Sequence, residues 1–328
     1  MNLLITGGAG FIGANFLKYL KKKRCGSKLM VVMDSLTYAA NYDNIAEDVF
    51  DHPKIKFANV DIRDSRYVDA TFVKYGITHV IHFAAESHVD NAILGPRAFV
   101  ETNVLGTLNL LEAAKKYEVQ RFHHISTDEV YGHLEKGDKK FTEDTPYAPR
   151  NPYSASKASS DHLVRSYYHT YEMPITISNC SNNYGPYQHE EKFIPTIINS
   201  ILKRKKIPVY GQGLNVRDWI HVDDHCDALL TILKKGKIGE TYNIGSNCEK
   251  RNLDVIHDIC EILKVEPEDC TEFVCDRLGH DFRYAIDNTK IKKELKWKPK
   301  ISFEKGIVKT VTHYKYKYDT EFSATCDC

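Results

Sequence analysis

Through the first half of the chain, short runs rich in β-branched and aliphatic residues alternate with longer amphipathic stretches. Residues 3–6, 29–33, 55–60, 79–84, 122–126 and 175–178 read as strands. Several are apolar at consecutive positions, the pattern of a strand covered on both faces. Between them, residues 14–24 and 98–117 step at helical spacing; in the second stretch Val104, Leu108 and Leu111 form an apolar face that ends at Lys115. The alternation predicts an α/β fold, a Rossmann-type doubly wound parallel sheet. After about residue 180 it gives way to turn-rich text such as Asn182-Asn183-Tyr184-Gly185-Pro186 and Gly211-Gln212-Gly213. The expected organisation is a doubly wound domain over 1–180 and a smaller C-terminal α/β lobe over 181–320, some of whose segments return to the first domain. A frayed tail is expected over 321–328. No repeat of fixed period is visible.

Composition adjusts this picture only slightly. Of 328 residues, 42% are hydrophobic and 27% charged, enough apolar material for a core without staples. A net charge of +1 gives no field for a polyanion, so no nucleic-acid partner is expected. The basic runs Lys21-Lys22-Lys23-Arg24 and Lys203-Arg204-Lys205-Lys206 each close an amphipathic stretch, where cations complement a helix C-terminus. Apolar runs fall far short of a membrane span, and a strand pattern begins at once with Asn2-Leu3-Leu4, so neither membrane nor leader is expected. The nine cysteines are odd in number and show no metal-ligand spacing. Reduced thiols in a cytoplasmic protein, with no metal site, are the simplest reading.

The first strand runs into Gly7-Gly8-Ala9-Gly10-Phe11-Ile12-Gly13 and then a helix. Glycines at this spacing permit a tight turn, backbone approach to a pyrophosphate and close helix–strand packing, while the helix N-terminus faces the phosphates. Asp34 ends the second strand 21 residues after Gly13, placed to accept hydrogen bonds from both adenosine ribose hydroxyls. Ser35 and Leu36 follow it rather than an arginine, which favours NAD over NADP. Asp61-Ile62 after the third strand reads either as a turn carboxylate capping the next helix or as a contact to the adenine edge.

Tyr153 and Lys157 lie four apart on one helical face. A phenol with pKa near about 10 becomes a usable base when an ammonium and a positive nicotinamide ring favour the phenolate. Upstream, the fifth strand ends in Thr127-Asp128-Glu129, at the edge of the sheet that faces the ligand crevice. Two carboxyls in one desolvated site split into an acid and a base, unless the pair merely caps the following turn. His123 and His124, on that strand, read as packing or hydrogen-bonding groups.

With these segments, and with Ala84-Ala85-Glu86-Ser87-His88-Val89-Asp90, Asn179-Cys180-Ser181-Asn182-Asn183-Tyr184-Gly185-Pro186, Arg217-Asp218-Trp219, Thr241-Tyr242-Asn243-Ile244-Gly245 and Asp276-Arg277-Leu278-Gly279-His280-Asp281, the chain resembles the extended short-chain dehydrogenase/reductase family. Within it, the similarity is to the nucleotide-sugar 4,6-dehydratases and extends to about residue 315. The resemblance implies an NAD-dependent hydro-lyase and homodimer acting on dTDP-glucose, with UDP-glucose as the alternative. Tyr153 would take the 4-hydroxyl proton and Thr127 would bond the 4-keto oxygen. Glu129 would remove the carbon-5 proton, Asp128 would protonate the departing 6-hydroxyl, and hydride would return to carbon 6.

The implied cofactor contacts are Gly7, Gly10, Phe11, Ile12, Gly13, Asp34, Ser35, Leu36, Thr37, Asp61, Ile62, Phe83, Ala84, Ala85, Ser87, Thr102, Tyr153, Lys157 and Asn183. The implied substrate contacts are Ser87, Thr127, Asn182, Lys192, Phe193, Pro208, Tyr210, Arg217, Asn243, Arg277 and His280. Guanidinium forks at Arg217 and Arg277 suit a pyrophosphate. Phe282 stands where the family often has another arginine and is not counted. Epimerases of the family need no acid/base pair here, and its decarboxylases tend to carry serine where Asp128 stands. An inactive NAD-binding scaffold is the non-enzyme alternative.

Overall fold

The computed structural model describes residues 1–276 and 279–326, with side chains as far as residue 320. Seven parallel strands form the main sheet: β1 (Asn2–Thr6), β2 (Leu29–Asp34), β3 (Ile55–Asn59), β4 (His79–His82), β5 (Arg121–Thr127), β6 (Ile175–Cys180) and β10 (Thr241–Ile244). Their order is β10-β6-β5-β4-β1-β2-β3, so the chain reverses direction across the sheet between β1 and β4. In such a sheet the crevice outside the strand C-termini at the reversal is where a ligand fits.

Alternate side chains of one strand serve two cores. Leu3 and Ile5 of β1 pack with Phe16, Leu17 and Leu20 of helix α1 (Phe11–Lys22), while Leu4 packs on the opposite face with Val68 and Phe72 of α2 (Ser65–Tyr75). That second face also holds Leu110 and Leu111 of α3 (Thr107–Lys116) and Val164 of α4 (Pro152–Tyr171). Burial on both faces accounts for the continuous apolar runs.

The remaining strands build two small sheets. β7 (Asn182–Tyr184), β9 (Val216–His221) and β11 (Glu249–Arg251) form one, and β8 (Ile207–Tyr210) pairs with β12 (Thr271–Val274) in the other. Helices α5 (Val222–Lys235) and α6 (Asn252–Leu263) flank them, and α5 packs back onto α1.

Three details go beyond the sequence reading. The stretch 98–117 is not one regular helix: a π-helical segment, Val100–Gly106, precedes α3 and turns Asn103, Thr107, Leu110 and Leu111 inward, leaving Val104 and Leu108 half-buried. Helix α7 runs Phe303–Cys326, on a stretch with no glycine or proline after Gly306, and so extends into the span expected to be a tail. The Cys270 sulfur lies 3.5 Å from that of Cys260, a proximity that the spacing of the cysteines in the sequence does not reveal. Among the described residues no helix is long and apolar enough to cross a membrane, and no cluster of metal-ligating side chains occurs.

Candidate functional site

The turn after β1 is built on bare glycines. Gly7 sits at φ +66°, and a Cβ there would fall 2.6 Å from the Ala84 nitrogen; one on Gly13 would fall 2.3 Å from the Gly7 carbonyl oxygen. Asp34 then fastens this turn to β2: its Oδ2 accepts the Ala9 N–H at 3.0 Å and its Oδ1 the Leu36 N–H at 2.8 Å. Sequence spacing pointed to the ribose role of Asp34 and missed this one. Burial pushes its carboxyl upward and the two N–H bonds oppose that.

The turn opens into a cavity of about 330 Å³ that runs from Asp34 past the ends of β1, β4 and β5. Every residue expected at the cofactor lines it except Leu36, which adopts φ +54° and is not part of its wall. A dinucleotide fits this cradle, because the backbone is open where a side chain would collide. Asp61 lines the cavity and does not cap the next helix; it accepts the Arg63 N–H at 2.8 Å and pairs with the Arg63 guanidinium, while Asp64 supplies the cap. Asn103 of the π-helical segment bonds both polar groups of the Glu86 backbone and reaches Ser156 Oγ at 2.8 Å. It ties the cavity wall to α4, a use of the π turn that local periodicity does not reveal.

At the far end of the cavity, β5 terminates in Thr127. Its hydroxyl accepts the Glu129 N–H at 3.3 Å, so Thr127, and neither carboxyl, caps the short turn that follows. Asp128 is 2% exposed; Oδ1 lies 3.4 Å from the Thr127 hydroxyl and Oδ2 has no hydrogen-bond partner among the described residues. Burial, then Glu129 and Asp218, hold its proton well above the carboxylate range against Arg217. Burial also raises Glu129, but Asn151, Arg217 and Lys192 all oppose it. Adjacent carboxyls thus sit in unequal environments.

Helix α4 starts beside them through a capping box: the Asn151 side chain accepts the Ser154 N–H at 2.9 Å and Ser154 Oγ accepts the Asn151 N–H at 3.2 Å. The cap places Tyr153 in the first turn and Lys157 one turn on, both against the cavity. Lys157 is 5% exposed and donates to the Ile125 carbonyl at 2.8 Å. The expected lowering of the Tyr153 phenol is not supplied by the protein alone. Burial, then Glu129, push it well up, and hydrogen bonding with Thr127 is the opposing influence. A positive nicotinamide is the remaining source of that lowering.

The family model described as GDP-mannose 4,6 dehydratase matches residues 4–310. The chain belongs to that family. A dTDP-glucose 4,6-dehydratase of Haemophilus influenzae is 47% identical, covering 96% of this chain and 98% of the relative. Among solved structures, the dTDP-glucose 4,6-dehydratase of Streptomyces venezuelae with NAD and TYD bound superposes with TM-score 0.93 at 42% identity, covering 97% of this chain and 98% of that one. The Thermus thermophilus UDP-glucose 4-epimerase complex with NAD superposes with TM-score 0.88 at 29% identity, over 96% of this chain and 99% of that one.

In this family member the expected substrate residues fall into groups. Ser87, Thr127, Asn182 and Lys192 line the cavity, where Lys192 Nζ donates to the Ser87 carbonyl at 2.9 Å and lies 3.3 Å from its hydroxyl. Cys180 and Glu191 line it too, and neither was anticipated. Outside that wall, Phe193 stacks on Trp219 with ring centroids 6.1 Å apart. Pro208 and Tyr210 lie on β8, where the Tyr210 ring meets that of His280 edge-on, and His280 bonds Asp276 at 2.6 Å.

Arg217 is 8% exposed, stacked over the Tyr284 ring and bonded to the Val216, Asp281 and Phe282 carbonyls. Asn243 does not line the cavity. It is fully buried on β10, with Oδ1 accepting the Tyr131 hydroxyl at 2.8 Å and Nδ2 donating to the Phe141 carbonyl at 3.2 Å. Arg277 lies outside the described residues. His123, bonded to Thr176 and Ser178, and His124, beside Asp161, hold β5 to its neighbours.

Proposed function

We propose that the chain converts dTDP-glucose to dTDP-4-keto-6-deoxyglucose. The observation that carries this reading is the Asp128–Glu129 pair, held at the end of β5 in one cavity with Thr127, Tyr153 and Lys157. Redox at carbon 4 needs only the last three; elimination of water needs an acid and a base as well. When bound in the glycine cradle, NAD accepts hydride from carbon 4 and returns it at carbon 6. Tyr153 takes the 4-hydroxyl proton, Thr127 holds the 4-oxygen, and Lys157 fixes the nicotinamide ribose. Glu129, whose carboxyl burial raises but Asn151, Arg217 and Lys192 draw back toward the ionised form, takes the acidified proton from carbon 5. Asp128, whose proton is retained by burial, delivers it to the departing 6-hydroxyl.

The lobe over 181–320 supplies the rest of the substrate site, with Asn182 and Lys192 at the cavity and Tyr210, Arg217 and His280 further along toward the nucleotide. The names of the relatives favour thymidine over uridine, which differ by a methyl contact worth about 1–3 kcal/mol. A homodimer is part of the same reading, supported by Leu94, Val100 and Leu105, all exposed beside α3 and α4. So is a cytoplasmic location, which suits the unpaired cysteines.

Incubation with dTDP-glucose and NAD should yield the 4-keto-6-deoxy nucleotide without net NADH, and faster than the same reaction with UDP-glucose. A 4-keto product that still bears its 6-hydroxyl, with one NADH per turnover, would overturn the assignment.

A further inference from the structure

Behind the cavity, α4 continues Lys157 into a row of ionisable side chains, of which the proposed reaction uses only the first. Lys157, Asp161 and Arg165 follow one another at intervals of four residues and share one face. Lys157 borders the cavity, while Arg165 borders a separate polar recess lined also by Tyr147 and Thr241. Asp161, between them, is 0% exposed.

Burying a carboxylate is costly unless hydrogen bonds and opposite charge compensate. Here its Oδ2 accepts the Ser126 hydroxyl at 2.7 Å and the Tyr147 hydroxyl at 2.9 Å, and Oδ1 lies 3.1 Å from the His124 ring. Arg165 donates to the same Tyr147 oxygen at 2.7 Å, so the clamp extends to the recess. Hydroxyls that converge on one carboxylate fix its position and keep it charged.

We propose that Asp161 is a positioning residue: the buried counter-charge that keeps Lys157 protonated and directed along the Ile125 carbonyl at the nicotinamide end of the cavity. Ser126, which clamps Asp161, directly follows Ile125, which receives Lys157, so both ends of the arrangement hang on the last residues of strand β5. Lys157 has few other counter-charges. It is faced by Cys180 from β6 and by the rings of His82 from β4 and His124 from β5, both of which burial drives toward the neutral form. Asp161 is faced by His124 from β5, Tyr131 and Tyr147 from the following loop, and Arg165 from its own helix. Burial works to discharge Lys157, and Asp161 is the largest influence against it.

The inference rests on the dehydratase reading for its substrate but is read on the first half-reaction alone. With dTDP-6-deoxyglucose, which has no 6-hydroxyl to eliminate, hydride transfer from carbon 4 leaves NADH in place, and neither carboxyl of the 128–129 pair is required. The rate of NADH formation should fall as pH rises through the Lys157 pKa. Asp161→Asn removes the charge that raises this pKa, and should move that limb down by about one pH unit. Tyr147→Phe loosens the same clamp but leaves the charge, and should leave the limb in place whatever it does to the maximal rate.

An unmoved limb in Asp161→Asn overturns the proposal, as does an equal shift in Tyr147→Phe. Should Asp161→Asn not fold, wild-type protein labelled with [ε-13C]lysine keeps the test open. The Lys157 signal, assigned by its loss in Lys157→Arg, should report a charged amine at neutral pH, and a neutral amine there overturns the proposal. That measurement needs no substrate, so a failure of the dTDP-glucose assay leaves it intact.

Discussion

Asp128 and Glu129 are neighbours in sequence with different surroundings, a difference that suits the acid and base roles proposed for them. Asp128 has one oxygen without a hydrogen-bond partner among the described residues and is pushed further up by Glu129 and Asp218, whereas Glu129 accepts from Asn151 at 3.4 Å and is drawn down by Arg217 and Lys192. A carboxyl whose folded pKa is raised contributes stability at low pH. That contribution fades as pH climbs from the unfolded value through the folded one. At neutral and alkaline pH Asp128 is therefore a strained group retained for chemistry. Asp128→Asn, which cannot ionise, should raise the melting midpoint near pH 8 by about 2 °C or more while slowing elimination at least tenfold. Thermal melts and turnover on the same preparation check this, and a variant both less stable and fully active would contradict it.

At the scale of elements, the start of α4 couples folding to chemistry. Asn151 closes the capping box and also donates to Glu129 Oε2. Asn151→Ala should cost about 1 kcal/mol of stability together with activity. Asn151→Ser should keep the cap, and with it the stability, and lose only the Glu129 contact. Urea titrations beside rate measurements separate the two, and equal losses of both in the serine variant would argue against a direct role at Glu129.

The same helix shows where pattern reading reached its limit. The glycine turn, Tyr153 and Lys157 were legible because their chemistry lies in local spacing. Ser156, Ser160 and Asp161 are buried, yet a polar face on a weakly amphipathic helix reads as a solvent face. Asn103 was hidden because a π turn changes which side chains face inward, and its partner Glu86 lies on a distant loop. The internal bonds of Asn243 to Tyr131 and Phe141 were hidden because a motif match carries no information on which way a strand residue points.

For the whole molecule, the sheet order and the site express one arrangement. The reversal between β1 and β4 opens the crevice, the glycine turn and Asp34 shape one end of it, and the end of β5 brings Asp128 and Glu129 to the other. The doubly wound sheet was readable from alternating strands and helices. The return of β10 beside β6, after two small sheets intervene, was not, since its four residues carry no periodicity long enough to place them. The epimerase of similar fold carries a warning that architecture alone leaves the reaction open.

The central claim is that one bound cofactor removes hydride from carbon 4 and gives the same hydride back at carbon 6. It is tested most directly with dTDP-[4-2H]glucose, reading the position of deuterium in the product by NMR. Deuterium on carbon 6 of a 4-keto-6-deoxy product, with a solvent-derived proton at carbon 5, is the predicted result. Deuterium retained at carbon 4 of an epimerised sugar, or lost from the sugar altogether, would contradict it.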